Sequence, residues 1–278
     1  MPLTKVKFFD YDNYICALLA PKSLWNDIAT ILEFNIEIAS IKNKVTEASL
    51  GLVRIAWWIE SIEEFYSSGK MKRHENLTKL AEIIKKYSIP KELFINLLNA
   101  RIKDFEDVPF TNLNDLIFYA KNTAANLSEA IFLINSSQVN CNIETYHKIK
   151  DAVENFSIAW AITAMIRAYK VNAKNGRIII PEEVTLNQLL EKAEFFIAKG
   201  RGFIENLDKK ILRKYSNLLI KARLAEFYIK QMKYKDYNFR DKEKYRYIKG
   251  QAIKPYQIKS VEGFGAAKLT LYNLLGWF

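Results

Sequence analysis

Apolar residues recur at intervals of three and four along most of this chain. From Leu24 to Val45 they fall at Leu24, Ile28, Ile31, Leu32, Ile38, Ile41 and Val45, one face of a helix. Pro21 and Ser23 stand before that stretch as start signals. The pattern loosens over residues 46–51. It resumes from Leu52 to Tyr66, with Trp57, Trp58, Ile62 and Phe65 inward, and ends near Ser67-Ser68-Gly69. Leu77 to Tyr87 and Lys91 to Phe105 are amphipathic and are separated by Ser88-Ile89-Pro90. Asn114 to Asn135 predicts a long helix whose Ala120, Ala124, Ala125 and Ala130 let neighbours approach closely. Helices are also predicted from Glu144 to Tyr169 or a little beyond, from Leu186 to Asn206 and from Lys209 to Met232. No segment shows the period-two alternation of a strand, and no unit of 20–50 residues repeats. The fold class is therefore all-α: one domain of eight to ten helices over residues 1–235, then an extension over 236–278.

Composition agrees with that picture. Half of the 278 residues are hydrophobic, and 9 Gly with 6 Pro is sparse punctuation, which favours long helices. Cys16 and Cys141 are too few for a disulfide framework, so free thiols in a reducing compartment are expected. The opening, MPLTKVKFFDYDNY, has neither the apolar core of a signal peptide nor the Arg/Ser richness of a transit peptide. The apolar run from Asn155 to Ile166 is too short for a bilayer, which needs about 20 residues.

Charge is uneven. The net charge is +11, and residues 201–262 hold 17 Lys or Arg against 7 Asp or Glu. Such a surface attracts anionic lipid, nucleic acid or phosphorylated ligands. Within the extension, Lys233 to Lys259 interleaves basic residues with Tyr234, Tyr237, Phe239, Tyr245, Tyr247 and Tyr256. An apolar tail from Gly263 to Phe278 follows. That combination suits either docking on an anionic membrane or packing back on the body. No nucleic-acid fold motif accompanies it.

Two stretches carry a family likeness. In Ala161 to Pro181, AITAMIRAYKVNAKNGRIIIP, a helix end is followed by a Gly-Arg turn, a short apolar run and Pro. Tyr14 to Trp58 contains Ala20-Pro21, Phe34-Asn35, Leu50-Gly51, Arg54 and the Trp57-Trp58 pair. In this order and spacing they resemble the squalene/phytoene synthase family, with Tyr119 to Leu127 similar to its small-residue helix. The likeness runs over roughly residues 12–230 and implies an isoprenoid-synthase-like helical bundle with a central cavity.

The same resemblance implies what active members need. They ionise an allylic diphosphate, and Mg²⁺ held by two aspartate pairs stabilises the departing charge. Here the first pair would fall at Ala39 and Asn43, the second at Ala168 and Asn172. None is acidic. A branch of the family lacks these aspartates and includes an assembly factor for respiratory complex I and its bacterial relatives. The segment EFNIEIASIKNKVTEASLGLVRIAWWIESIEEFY is similar to that branch. The resemblance thus implies no catalytic residues, no cofactor, and a role in assembling a respiratory NADH dehydrogenase or in binding a lipid or isoprenoid. From the cysteine count, the N-terminal segment and the basic, apolar C-terminus, a cytoplasmic location with peripheral contact at the inner face of a membrane is expected. The alternative is a divergent prenyl transferase that condenses isoprenoid diphosphates with Mg²⁺.

Other acids offer poor substitutes. Glu33 and Glu37 are four apart, but Glu37 lies about 200° round the helix from Ala39. Glu144, His147, Asp151 and Glu154 share a helix face, yet Lys148 and Lys150 beside them favour surface ion pairs. His74, in Lys-Arg-His-Glu, reads as a loop or helix-start residue. No Ser-His-Asp, Cys-His or Gly-rich phosphate signature occurs. One positive feature remains. Arg167, Lys170, Lys174 and Arg177 follow helical spacing and could hold a phosphate or lipid headgroup, the bland reading being a solvated basic face. Arg54, beside Trp57 and Trp58, is a further candidate for an anion or for a structural partner.

Overall fold

A computed structural model of the chain describes residues 2–106, 108–174, 177–233, 237–240 and 278, with the backbone of 246–248 and 251–253. Helices dominate, as expected. Two short N-terminal helices, α1 (Thr4–Phe9) and α2 (Tyr11–Ala17), precede the first periodic stretch. Six and seven residues are too few to show a helical period, and so short a helix depends on packing. Asp10 starts α2, accepting from the Asn13 backbone at 3.2 Å and its side-chain amide at 2.8 Å.

The predicted helix over Leu24–Val45 is broken. A 3₁₀ turn (Lys22–Leu24) leads into α3 (Trp25–Ala39), and α4 (Ile41–Lys44) follows after Ser40. The Ser40 hydroxyl donates to the Glu37 carbonyl at 2.8 Å, a local bond that competes with helix continuation. Next come α5 (Ala48–Ser68), α6 (Glu75–Tyr87) and α7 (Lys91–Ile102), the last extended by a 3₁₀ turn at Lys103–Phe105. The predicted Asn114–Asn135 helix consists of α8 (Leu113–Ala120) and α9 (Asn126–Ser136), joined by a π-helical turn at Lys121–Ala125. That widened turn packs on both α7 and α10 (Ile143–Lys174), where its alanines leave room.

Helix α11 (Leu186–Ile204) returns along α10. The predicted Lys209–Met232 helix is three pieces, α12 (Lys209–Arg213), α13 (Ser216–Leu219) and α14 (Lys221–Met232). Tertiary contacts override the pattern at the first break. The Asn135 amide donates to the Lys214 carbonyl at 2.9 Å, and Tyr215 is fully buried, stacked on Phe132. Arg246–Ile248 pairs antiparallel with Gln251–Ile253, a correction to the strand-free expectation. Three-residue strands are too short to show alternation.

Helix α10 is the axis of the fold. Its Ile149, Val153, Phe156, Ala159, Ile162 and Ile166 are buried on several faces, and α8, α9, α11, α13 and α14 pack round it. A helix apolar over so much of its girth belongs in a core. Closeness to α11 depends on Gly200, where a Cβ would lie 2.4 Å from the Phe156 ring. The described part of the extension also rests on the body. Phe239 is buried and meets the Tyr169 ring edge-on at 4.9 Å, and Arg240 donates to the Pro181 and Val184 carbonyls. Phe278 is buried, its carbonyl taken by Arg201 at 3.1 Å. The rest of the apolar tail, up to residue 277, lies outside the described residues.

Gly200→Ala should lower the stability measured by urea unfolding by about 1–3 kcal/mol, the usual cost of overpacking. Gly202→Ala on the same helix, with nothing within 4 Å of the added carbon, should instead raise it by up to about 1 kcal/mol.

Candidate functional site

The four positions of the expected metal clamp sit where α3 and α10 end. Ala39 is the last residue of α3 and half-buried; Asn43 lies beyond the Ser40 break, in α4, and is exposed. Ala168 and Asn172 are half-buried on α10. The donor set is two methyl groups and two neutral amides, and one pair no longer shares a continuous helix. Mg²⁺ takes carboxylate, phosphate and water oxygens, so these residues do not fit it. Among the described residues no cluster of His, Cys, Asp or Glu is placed to hold a metal.

Carboxylates do enter this part of the molecule, but from other elements and already matched. Asp104, in the turn after α7, is buried. It accepts from the Tyr119 hydroxyl at 2.7 Å and from Arg101 at 3.2 Å, and it forms an ion pair with Arg177. Arg101 also donates to Tyr119 at 2.8 Å and to the Asn35 side-chain oxygen at 3.4 Å. Asn35 is one turn before Ala39, and the Arg177 backbone N–H bonds the Asn172 carbonyl at 2.9 Å. The network therefore ties the end of α3 to the segment that leaves α10. Burial works against the Arg101 cation, but Tyr119 and Asp104 beside it hold its proton more firmly than usual. Burial pushes the Tyr119 hydroxyl well above the ordinary phenol range. The end of this turn and the residues after it reinforce the closure. Phe105 fills the space that a Cβ on Gly51 would need, 1.9 Å away, and the Phe110 N–H bonds the Ile179 carbonyl at 3.2 Å.

A second buried carboxylate, Asp12 of α2, faces the C-terminal half of α10. Its two oxygens accept from Tyr228 at 2.7 Å, Trp160 at 3.1 Å and Arg167 at 2.6 Å. The Arg167 guanidinium also lies 3.7 Å from the centre of the Tyr228 ring, a cation–π contact. One layer deeper, Lys221 is buried. Its ammonium donates to Ser128 at 2.8 Å and stands over the Trp160 ring at 5.0 Å. Ser157 donates to the same Ser128 oxygen at 2.8 Å. Burial pulls the Lys221 pKa below its ordinary value, against the pull of Cys16, Asp10 and Asp12. Burial likewise raises the Asp10 carboxyl and pushes the Cys16 thiol up to about 12.

The expected basic stripe is thereby divided. Arg167 belongs to Asp12 and Arg177 to Asp104. Helix α10 ends at Lys174, so Arg177 is past the helix and outside its spacing. Lys170 is half-buried and Lys174 exposed, as is Arg54 at the start of α5. The other acids are also placed. Glu37 takes His74 at 3.2 Å, Glu33 lies 3.9 Å from Lys5, and His74 caps the start of α6. Glu144 pairs with Lys148 at 2.6 Å, and Glu154 with Lys121 at 3.0 Å. Asp12, Asp104, Arg101, Tyr119 and Tyr228 escaped the sequence reading. One signal existed: Arg101 and Asp104 continue the inward line of Leu93, Leu97 and Leu98, where a charge is out of register with the pattern.

The architecture is an all-α bundle of the isoprenoid-synthase fold. Two solved structures share the fold. A dehydrosqualene synthase superposes with a TM-score of 0.72 at 11% identity, covering 98% of this chain and 93% of that one. Squalene synthase HpnC from Alicyclobacillus acidocaldarius superposes with a TM-score of 0.65 at 13% identity, covering 82% and 89%. The squalene/phytoene synthase family model matches residues 6–233, and the chain belongs to that family. Among curated proteins it is similar to the human NADH dehydrogenase (ubiquinone) complex I, assembly factor 6. They are 24% identical over 187 residues, which is 67% of this chain and 54% of that protein. The homolog from Dictyostelium discoideum is 25% identical over 208 residues, 74% and 56% respectively. The chain thus spans about half the length of the curated relatives it matches.

Removing Asp104 leaves two arginines facing each other without an anion. Asp104→Ala should lower unfolding stability by about 3–5 kcal/mol, as for one partner lost from a buried pair. Adding Arg177→Met should recover part of that loss in a double-mutant cycle.

Proposed function

We propose that this chain is a non-catalytic member of its family that helps to assemble a respiratory NADH dehydrogenase. The observation that carries the reading is that the clamp positions Ala39, Asn43, Ala168 and Asn172 carry no carboxylate and that Arg167 and Arg177 are engaged by aspartates of the chain itself. A diphosphate would arrive at arginines already engaged by Asp12 and Asp104 and at clamp positions that carry no carboxylate. Without metals, several kcal/mol of stabilisation of the leaving diphosphate are missing. The assembly-factor names of the curated relatives support the positive half of the proposal.

On this reading the helical body works as a binding surface for a protein partner, with a lipid or isoprenoid as a second ligand of its interior. Fold alone does not decide between such roles, because one scaffold hosts several functions. No described helix is long and apolar enough to cross a membrane.

Incubation with farnesyl or geranylgeranyl diphosphate and Mg²⁺ should release no diphosphate above the protein-free background. Deletion of the gene in its own host should reduce assembled respiratory NADH dehydrogenase. Robust diphosphate release that disappears in Arg167→Met or Arg177→Met would establish the prenyl transferase instead.

A further inference from the structure

The N-terminal unit presents an aromatic and basic surface that the clamp region does not explain. Helix α2 buries Asp12, Asn13, Ile15, Cys16 and Ala17. Its other face carries Tyr11, Tyr14 and Leu18, at the i, i+3, i+7 spacing of one helix side. Tyr11 and Tyr14 are half-buried there, each with one side packed on the core, and Leu18 is exposed, so the part of this side that meets water is aromatic and apolar. The Tyr11 and Tyr14 rings are neighbours at 5.8 Å, and the Lys7 ammonium lies 5.8 Å from the Tyr14 ring centre. Just before them, Phe8 and Phe9 are 85% and 64% exposed, their rings packed edge-on at 5.3 Å.

At the far end of α2 the chain enters a concavity of about 450 Å³. Leu19, Ala20 and Pro21 form one side, and Lys210, Arg213 and Lys214 from the α12 region the other. The Ser216 hydroxyl bonds the Leu19 carbonyl at 3.2 Å, which fixes the two elements together. Lys22 and Lys209 are exposed beside it. Asp208 is the acid of this turn, and it is occupied in capping α12 through the Lys210 N–H at 2.8 Å.

We infer that this N-terminal face docks on an anionic phospholipid surface. Exposed Phe and Tyr are residues that favour the membrane–water interface, where the ring enters the acyl boundary and the hydroxyl stays among headgroups. Lysines next to such a patch attract anionic lipid, each adding to the affinity near the surface. Phe8 and Phe9 would insert, Tyr11, Tyr14 and Leu18 would lie at headgroup depth, and the Lys210–Lys214 concavity would receive lipid phosphates. Charge complementarity selects the anionic bilayer as the occupant, because Lys7, Lys22, Lys210, Arg213 and Lys214 border the aromatic patch and the concavity. The inference concerns a surface separate from the Asp104 network, so it stands or falls independently of the assembly role.

The test is flotation of the full chain with vesicles of phosphatidylcholine alone and of phosphatidylcholine with phosphatidylglycerol. Binding is expected with the anionic vesicles only and should weaken steeply with salt. Phe8→Ser/Phe9→Ser and Lys210→Glu/Lys214→Glu should each reduce it by about tenfold or more, while Lys192→Glu on the exposed side of α11 should not. Because all four residues are exposed, the variants are expected to fold, which far-ultraviolet circular dichroism checks. As a readout independent of those variants, Phe8→Trp should gain a blue-shifted emission component when anionic vesicles are added. Absence of flotation overturns the inference. So does flotation that both double variants retain, which would assign the contact to another part of the chain. A Phe8→Trp protein that floats with the vesicles but shows no shift in emission overturns it as well.

Discussion

A charge taken out of water must be met by an opposite charge and by hydrogen bonds, or the fold loses stability. Two buried carboxylates, Asp12 and Asp104, impose that condition here. Each is met by an arginine from the C-terminal half of α10 or the segment just after it, Arg167 for Asp12 and Arg177 for Asp104. Asp12 brings the N-terminal helices and α14 onto α10 through Tyr228 and Trp160. Asp104 brings α7 and α8 to the same region and reaches α3 through Arg101 and Asn35. Most of the elements that converge on the former clamp are thus held by one of two aspartates.

This arrangement changes what the loss of acidic ligands means. In a metal-dependent member of the family, cations and a diphosphate would stand between the two helix ends. Here Arg167 and Arg177 are held by carboxylates of the chain itself. The same contacts join helices, and Gly51 and Gly200 admit Phe105 and Phe156 to the packing.

Much of the fold was legible in the sequence, and the reasons are visible in particular residues. Long helices with apolar positions every three or four residues, such as α5, α10 and α11, declared themselves. The failures fall where long-range contacts outweigh local pattern. Asn135 captures the Lys214 carbonyl and splits the last predicted helix, an event set by a residue 79 positions away. Helices α1 and α2 are too short to carry a period. The expected clamp positions Ala39, Asn43, Ala168 and Asn172 fall at the ends of α3 and α10 and in α4, as far as the sequence frame could place them. The basic stripe was legible as composition but not as structure. Pairing partners such as Asp12, 155 residues from Arg167, leave no mark in a window of sequence.

If Asp12 and Asp104 anchor Arg167 and Arg177, neither carboxylate is free to hold a metal. A titration with Mn²⁺ followed by electron paramagnetic resonance, with and without inorganic diphosphate, reads this directly. The chain should leave the metal spectrum as it is in protein-free buffer at micromolar concentration. Uptake of two or more ions per chain, weakened by Asp104→Asn or Asp12→Asn, would contradict it, because those carboxylates would then be metal ligands and not the anchors of Arg167 and Arg177.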